Sequence, residues 1–120
     1  MMTWLATRIQ RLGAAWNGLA IAWGRDVHVV IHVAVIGWWI ALGSWVGLDG
    51  MGWAILVMGF GMVLLAELLN SAIERAVDAW SPTWSMAAKD VKDMAAGAVL
   101  VAVVAVSIGA CVLMWHYYVP

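Results

Sequence analysis

The sequence predicts an all-α membrane protein with three transmembrane helices and an N-terminal amphipathic surface helix. Three observations predict it. First, the 120 residues are 66% hydrophobic and only 11% charged, against roughly 45–50% apolar and about 25% charged in soluble domains. A chain this short cannot hide so much apolar surface inside its own globule. Second, three long apolar runs, each near the roughly twenty residues needed to cross hydrocarbon, are separated by short polar breaks. Third, ten Trp and eight Met suit bilayer interfaces and irregular apolar packing.

The expected surface helix covers residues 3–24. Leu5, Ile9, Leu12, Trp16, Leu19 and Trp23 recur at spacings of three and four, with Arg8, Gln10, Arg11 and Asn17 largely off that stripe. This is the pattern of a helix lying in a membrane interface, although packing against other helices would give a similar one. No continuous apolar core ends in a small-residue cleavage site, so no signal peptide is expected here.

Arg25 and Asp26 break the pattern before the first span, placed at 27–48. His28 and His32 lie one turn apart near its start. With no third ligand in the pattern, interfacial hydrogen bonding or a substrate contact is a better reading than zinc. Gly47-Leu48-Asp49-Gly50 reads as a tight turn into an antiparallel second span at 51–79. Trp80-Ser81-Pro82-Thr83 then reads as a stop. Lys89, Asp90, Lys92 and Asp93 precede a third span at 93–117, with Lys89 and Asp90 assigned to a solvated loop. The lone Cys111 reads as packing. The whole chain forms one membrane domain.

The six basic residues, Arg8, Arg11, Arg25, Arg75, Lys89 and Lys92, all lie before the first span or between the second and third. That bias places the N-terminus and the stretch from Glu67 to Lys92 in the cytoplasm and the C-terminus outside. A net charge of −1 with no basic tract gives nucleic-acid binding no support.

The chemistry concentrates where the second span emerges. After the apolar run from Met51 to Ala66, steps of about 100° put Glu67, Asn70, Glu74 and Asp78 on one helix stripe. Carboxylates near hydrocarbon lose several kcal/mol of hydration unless paired, protonated or bound to a cation, so this stripe is the functional candidate. Self-association is expected, because such acids face a bundle interior or a watery cavity. There is no Gly-rich phosphate loop, dinucleotide fingerprint or zincin motif. Clustered carboxylates suit Mg²⁺, a lysine offsets phosphate charge, and a metal-free carboxylate can accept a hydroxyl proton. These features favour a membrane-surface enzyme of phosphoryl transfer, with a proton- or ion-linked transport subunit and a structural assembly protein as the other classes.

Two ordered segments, Glu67-Leu-Leu-Asn70-Ser-Ala-Ile-Glu74-Arg-Ala-Val-Asp78 and Lys92-Asp93-Met94-Ala95-Ala96-Gly97-Ala98-Val99-Leu100, resemble the small bacterial integral-membrane lipid kinases that include diacylglycerol kinase and undecaprenol kinase. The resemblance extends over nearly the whole chain. It implies a homotrimer in the bacterial inner membrane, with active sites shared between neighbouring subunits. It further implies transfer of the γ-phosphoryl group of MgATP to a lipid hydroxyl at the cytoplasmic surface.

Carried over by motif, Glu67 is the expected general base and Asn70 orients phosphate or the catalytic groups. Glu74 and Asp26 are the expected Mg²⁺ ligands. Asp78, Lys92 and Asp93 hold ATP. At position 26 the family's common residue is glutamate, one methylene longer. A histidine six residues after that acid, here His32, resembles a variant familiar among undecaprenol kinases. Diacylglycerol is the preferred acceptor and undecaprenol the alternative. Ser71 could touch a lipid headgroup, with a local hydrogen bond within its helix as the competing reading.

Overall fold

The computed structural model describes residues 2–118, with the side chains of 2–5 and of Arg25 excluded. Leu5 of the amphipathic stripe and the Arg25 side chain therefore lie outside the described residues. Among the described residues there are four helices and no strands: α1 (Met2–Arg25), α2 (Val27–Val46), α3 (Gly50–Trp80) and α4 (Met86–Tyr118). The last three are long and apolar enough to cross a membrane. At about 1.5 Å per residue the 31-residue α3 is about 46 Å long, well beyond a hydrocarbon core of about 30 Å. One end of α3 must therefore project from the bilayer, and its polar end is the one that carries Glu74 and Asp78.

The α2–α3 connection is built by local chemistry. Gly47 takes a left-handed conformation, φ 76°, and its N–H donates to the Gly43 carbonyl, ending α2. Glycine adopts that backbone without the steric cost of a Cβ. Asp49 then caps α3, its carboxylate accepting from the Gly52 N–H at 2.8 Å. The Asp49 N–H donates to the Tyr117 hydroxyl at 3.2 Å, which fastens the turn to the end of α4. The hydroxyl and the Gly52 N–H hold the Asp49 carboxyl below the ordinary aspartate range.

The apolar core lies at this turn end. Leu48, Leu56, Phe60, Ala110 and Leu113 are buried together, with Trp39, Trp53, Val106 and Tyr117 packed around them. Gly59 lets α3 and α4 approach: a Cβ there would sit 3.1 Å and 3.3 Å from the two Val106 methyls. α1 contributes little, since Ala22 is its only buried residue among those described. Its apolar stripe faces outward, with Leu12 and Trp16 more than 70% exposed, as a helix resting on lipid requires.

Two sequence expectations are corrected. The last helix begins at Met86, not at 93, so Lys89 and Asp90 are helical and not in a loop. The cause is a cap: the Ser85 hydroxyl accepts from the Ala88 N–H at 3.1 Å, and the Ser85 carbonyl accepts from the Lys89 N–H. The first span ends at Val46, with 47–49 forming the turn.

Candidate active site at the polar end of the second span

Glu67 and Ser71 are the buried polar residues of the described structure, 3% and 7% exposed. Four residues apart, they share the side of α3 that meets the start of α2. The Ser71 hydroxyl donates to Asp26 Oδ2. One turn toward the membrane centre, Glu67 Oε1 lies 3.9 Å from His32 Nδ1. Residue numbers rise along α2 as they fall along α3, which is the register of an antiparallel pair. The local-helix reading of Ser71 is therefore overturned, because its bond crosses to another helix 45 positions away in the chain.

Asp26 also caps α2, with Oδ1 accepting from the His28 N–H at 2.9 Å. Burial raises its carboxyl's pKa. The Ser71 hydroxyl, the His28 N–H and charge, and the Val29 N–H outweigh burial and hold it below the ordinary aspartate value. Asp26 is therefore a carboxylate at neutral pH, as an oxygen ligand for a hard cation must be.

On the adjoining strip of α3, Asn70 Nδ2 donates to Glu74 Oε1 at 3.1 Å. Asn70 Oδ1 is buried without a hydrogen-bond partner. An acceptor left in that state costs about 1–3 kcal/mol, so the site calls for a donor or cation at this oxygen. Farther out, Lys92 of α4 pairs with Asp78 of α3, and Lys89 pairs with Asp93 one turn along α4. Asp78, Lys92 and Asp93 line one cleft of about 310 Å³ under the 81–85 loop, together with Thr83, Trp84 and Lys89.

The structure thus brings all seven expected residues to one end of the bundle, distributed over distinct contacts. Among the described residues, no group of three or more His, Cys, Asp and Glu is positioned to hold a metal ion within one protomer. Two further residues meet the expected ones: Ser71 bonds Asp26, and His32 approaches Glu67. The four-residue spacing of Ser71 from Glu67 puts both on one face, whereas nothing in the sequence names the neighbour of His32. A second cleft, about 350 Å³ and almost wholly apolar, opens between α1 and α3 beside Ser71, with Leu19, Leu68 and Arg75 in its walls.

A family model described as prokaryotic diacylglycerol kinase matches residues 13–114. The diacylglycerol kinase of Escherichia coli is 30% identical over 115 residues, covering 92% of this chain and 90% of that protein. The Synechocystis diacylglycerol kinase is 36% identical over 106 residues, 83% of this chain and 58% of that protein. A Helicobacter pylori diacylglycerol kinase is 32% identical over 88 residues, 73% of this chain and 69% of its own length. With a match over most of its length, three membrane-spanning helices and a polar site where the second emerges, the chain belongs to the prokaryotic diacylglycerol kinase family of multi-pass membrane lipid kinases.

Proposed function

We propose that the protein transfers the γ-phosphoryl group of MgATP to a membrane lipid alcohol at the cytoplasmic face, with diacylglycerol the first acceptor and phosphatidic acid the product. The observation that carries this reading is the burial of Glu67 at the polar end of an apolar span, with His32 beside it. A carboxylate there can accept the hydroxyl proton as the new oxygen–phosphorus bond forms and the bond to ADP breaks. Full prior deprotonation of an alcohol would be far uphill for a carboxylate, so the transfer accompanies phosphorus–oxygen bond making.

The remaining residues fit the other parts of the reaction. Asp26 and Glu74 are hard oxygen donors, and the orphaned Asn70 oxygen beside Glu74 matches a cation-binding environment. Mg²⁺ needs only one or two protein carboxylates when phosphates and water complete its shell, and bound there it would neutralise phosphate charge. Lys92 and the 310 Å³ cleft suit a polyanionic nucleotide. The apolar α1–α3 cleft gives a lipid acceptor a route to the same end of the bundle.

The homotrimer belongs to this reading. Among the described residues Asn70 Oδ1 has no donor and no three-ligand metal set forms, and a neighbouring copy can supply both. The positive-inside bias supports a cytoplasmic site. Undecaprenol is the second acceptor, because a histidine six residues after Asp26, here His32, resembles the variant familiar among undecaprenol kinases. The kinase names of the relatives leave the transport-subunit reading without support.

The test is turnover with ATP and Mg²⁺ in mixed micelles holding either diacylglycerol or undecaprenol. Glu67→Gln should lower kcat by about 10²–10⁴-fold, the usual contribution of a positioned base. Turnover of Glu67→Gln at the wild-type rate would eliminate the base assignment. A preference for undecaprenol would replace the acceptor and keep the kinase.

A further inference from the structure

His32 lies outside the charged stripe, yet it is the residue that approaches Glu67 most directly. Its Nδ1–H donates to the His28 carbonyl one turn earlier on α2, at 2.8 Å. A carbonyl only accepts, so that bond places the proton of the neutral ring on Nδ1 and leaves Nε2 as the acceptor. The same Nδ1 lies 3.9 Å from Glu67 Oε1. One N–H therefore faces two acceptors, bonded to the first and about 1 Å beyond hydrogen-bonding distance of the second.

Glu67 needs such a donor. Its side chain is only 5% exposed, so a fixed donor would replace hydration that a carboxylate there has largely lost. Among the described residues no hydrogen bond reaches it, and His32 Nδ1 is the only basic side-chain nitrogen within 4.0 Å. The imidazole itself is well held. It is 21% exposed, it is tied to its own helix, and it lies against a small apolar cavity lined by Trp39, Phe60 and Val106. A fixed ring opposite a carboxylate with rotatable bonds can select among that carboxylate's orientations.

We propose that His32 is the positioning residue for Glu67: its Nδ1–H passes from the His28 carbonyl to the nearer Glu67 oxygen when Glu67 is ionised, leaving the other carboxylate oxygen to take the lipid hydroxyl's proton. Once that proton has moved from the lipid oxygen to Glu67, the neutral acid is a poorer acceptor and the Nδ1–H returns to His28. His32 gives up no proton and touches neither nucleotide nor lipid. The inference rests on the reading of Glu67 as the base. It adds that the base is held by a donor on the neighbouring helix.

The amide substitutions discriminate sharply, because asparagine carries an N–H near the place of Nδ1 whereas glutamine carries one near Nε2. In micelles with ATP, Mg²⁺ and diacylglycerol, His32→Leu should lower kcat by about 10–100-fold, the scale of a misplaced catalytic group. KM for ATP should stay within about twofold. His32→Asn should restore most of the turnover and His32→Gln should not. In a Glu67→Gln background, His32→Leu should cause no further loss.

Equal defects in the Asn and Leu variants, or wild-type kcat in His32→Leu, would overturn the proposal. So would a loss carried by KM for ATP. If His32→Leu fails to assemble, the Asn and Gln variants decide, since both keep a polar amide and differ by one methylene. The two readings fail separately. An active Glu67→Gln enzyme removes the base, whereas an inactive Glu67→Gln beside a fully active His32→Leu removes only the positioning role.

Discussion

Replacing Ser71 by alanine tests the contact that ties the α1–α2 junction to the polar end of α3. Ser71 is 7% exposed and its hydroxyl donates to Asp26 Oδ2. A hydrogen bond to a charged group contributes about 1.5–3 kcal/mol, so Ser71→Ala should destabilise by about that much. Asp26→Ala loses the same bond together with its cap on α2, worth about a further 1 kcal/mol. The expected single cost is therefore about 2.5–4 kcal/mol. Once Asp26 is gone the serine has no charged partner, and the double variant should be little worse than Asp26→Ala. The coupling from the double-mutant cycle is then about 1.5–3 kcal/mol, read by reversible unfolding in mixed micelles. Additive effects, with coupling near zero, would refute the claim that these two side chains hold the helices together. Ser71→Ala should also ease Mg²⁺ binding, because it releases one oxygen of Asp26 from a competing donor.

Two glycines of α3 should respond in opposite directions. Gly59→Val should cost about 1–3 kcal/mol by forcing α3 from Val106, whereas an added methyl at Gly61 meets nothing within 4 Å and should leave thermal stability equal or raise it by up to about 1 kcal/mol. At the turn, the lowered pKa of Asp49 makes its contribution full above the ordinary aspartate value of 3.8 and lost as pH falls through the lower folded value. Asp49→Asn should therefore flatten that part of the acid limb, seen by comparing melts of variant and wild type at about pH 3 and about pH 6.

Helical periodicity made much of this fold legible because lipid imposes long apolar helices and leaves few alternatives. The turn at Gly47–Asp49 was visible for the same local reason that it forms: a left-handed glycine followed by a capping aspartate. The onset of α4 is placed too late because Lys89 and Asp90 look like a solvated loop. The Ser85 cap starts the helix one turn ahead of those charges. Charged residues are compatible with a helix that begins outside the bilayer.

The site shows where periodicity stops. It gives the azimuth of Glu67, Asn70, Glu74 and Asp78 on α3 but not the neighbours they meet. In the structure Glu67 turns to His32 of α2, Asn70 pairs with Glu74 along α3, and Asp78 reaches Lys92 of α4. Ser71 reads as a headgroup contact or a local helix hydrogen bond because its partner is 45 positions away. Such pairings depend on how two helices are rotated against one another, which apolar spacing constrains only to within a broad face.

The contrast between the two ends of the bundle bears on how a kinase of this size could admit two substrates. Leu48, Leu56, Phe60, Ala110 and Leu113 lock the turn end by packing, and packed cores resist continuous deformation. At the polar end the helices are joined instead by Ser71 to Asp26 and Lys92 to Asp78. The second pair is largely exposed, so water screens it and its contribution to stability is small. A phosphate competing for Lys92 exchanges one charge partner for another and leaves the apolar core undisturbed. The exposed Lys92–Asp78 pair therefore joins α3 to α4 at the polar end at little energetic cost to separate. Glu67 sits between the two regimes, buried against the packed spans and one turn from Ser71 at the polar end. That position leaves its carboxylate beside one basic side-chain nitrogen among the described residues, His32 Nδ1 of α2.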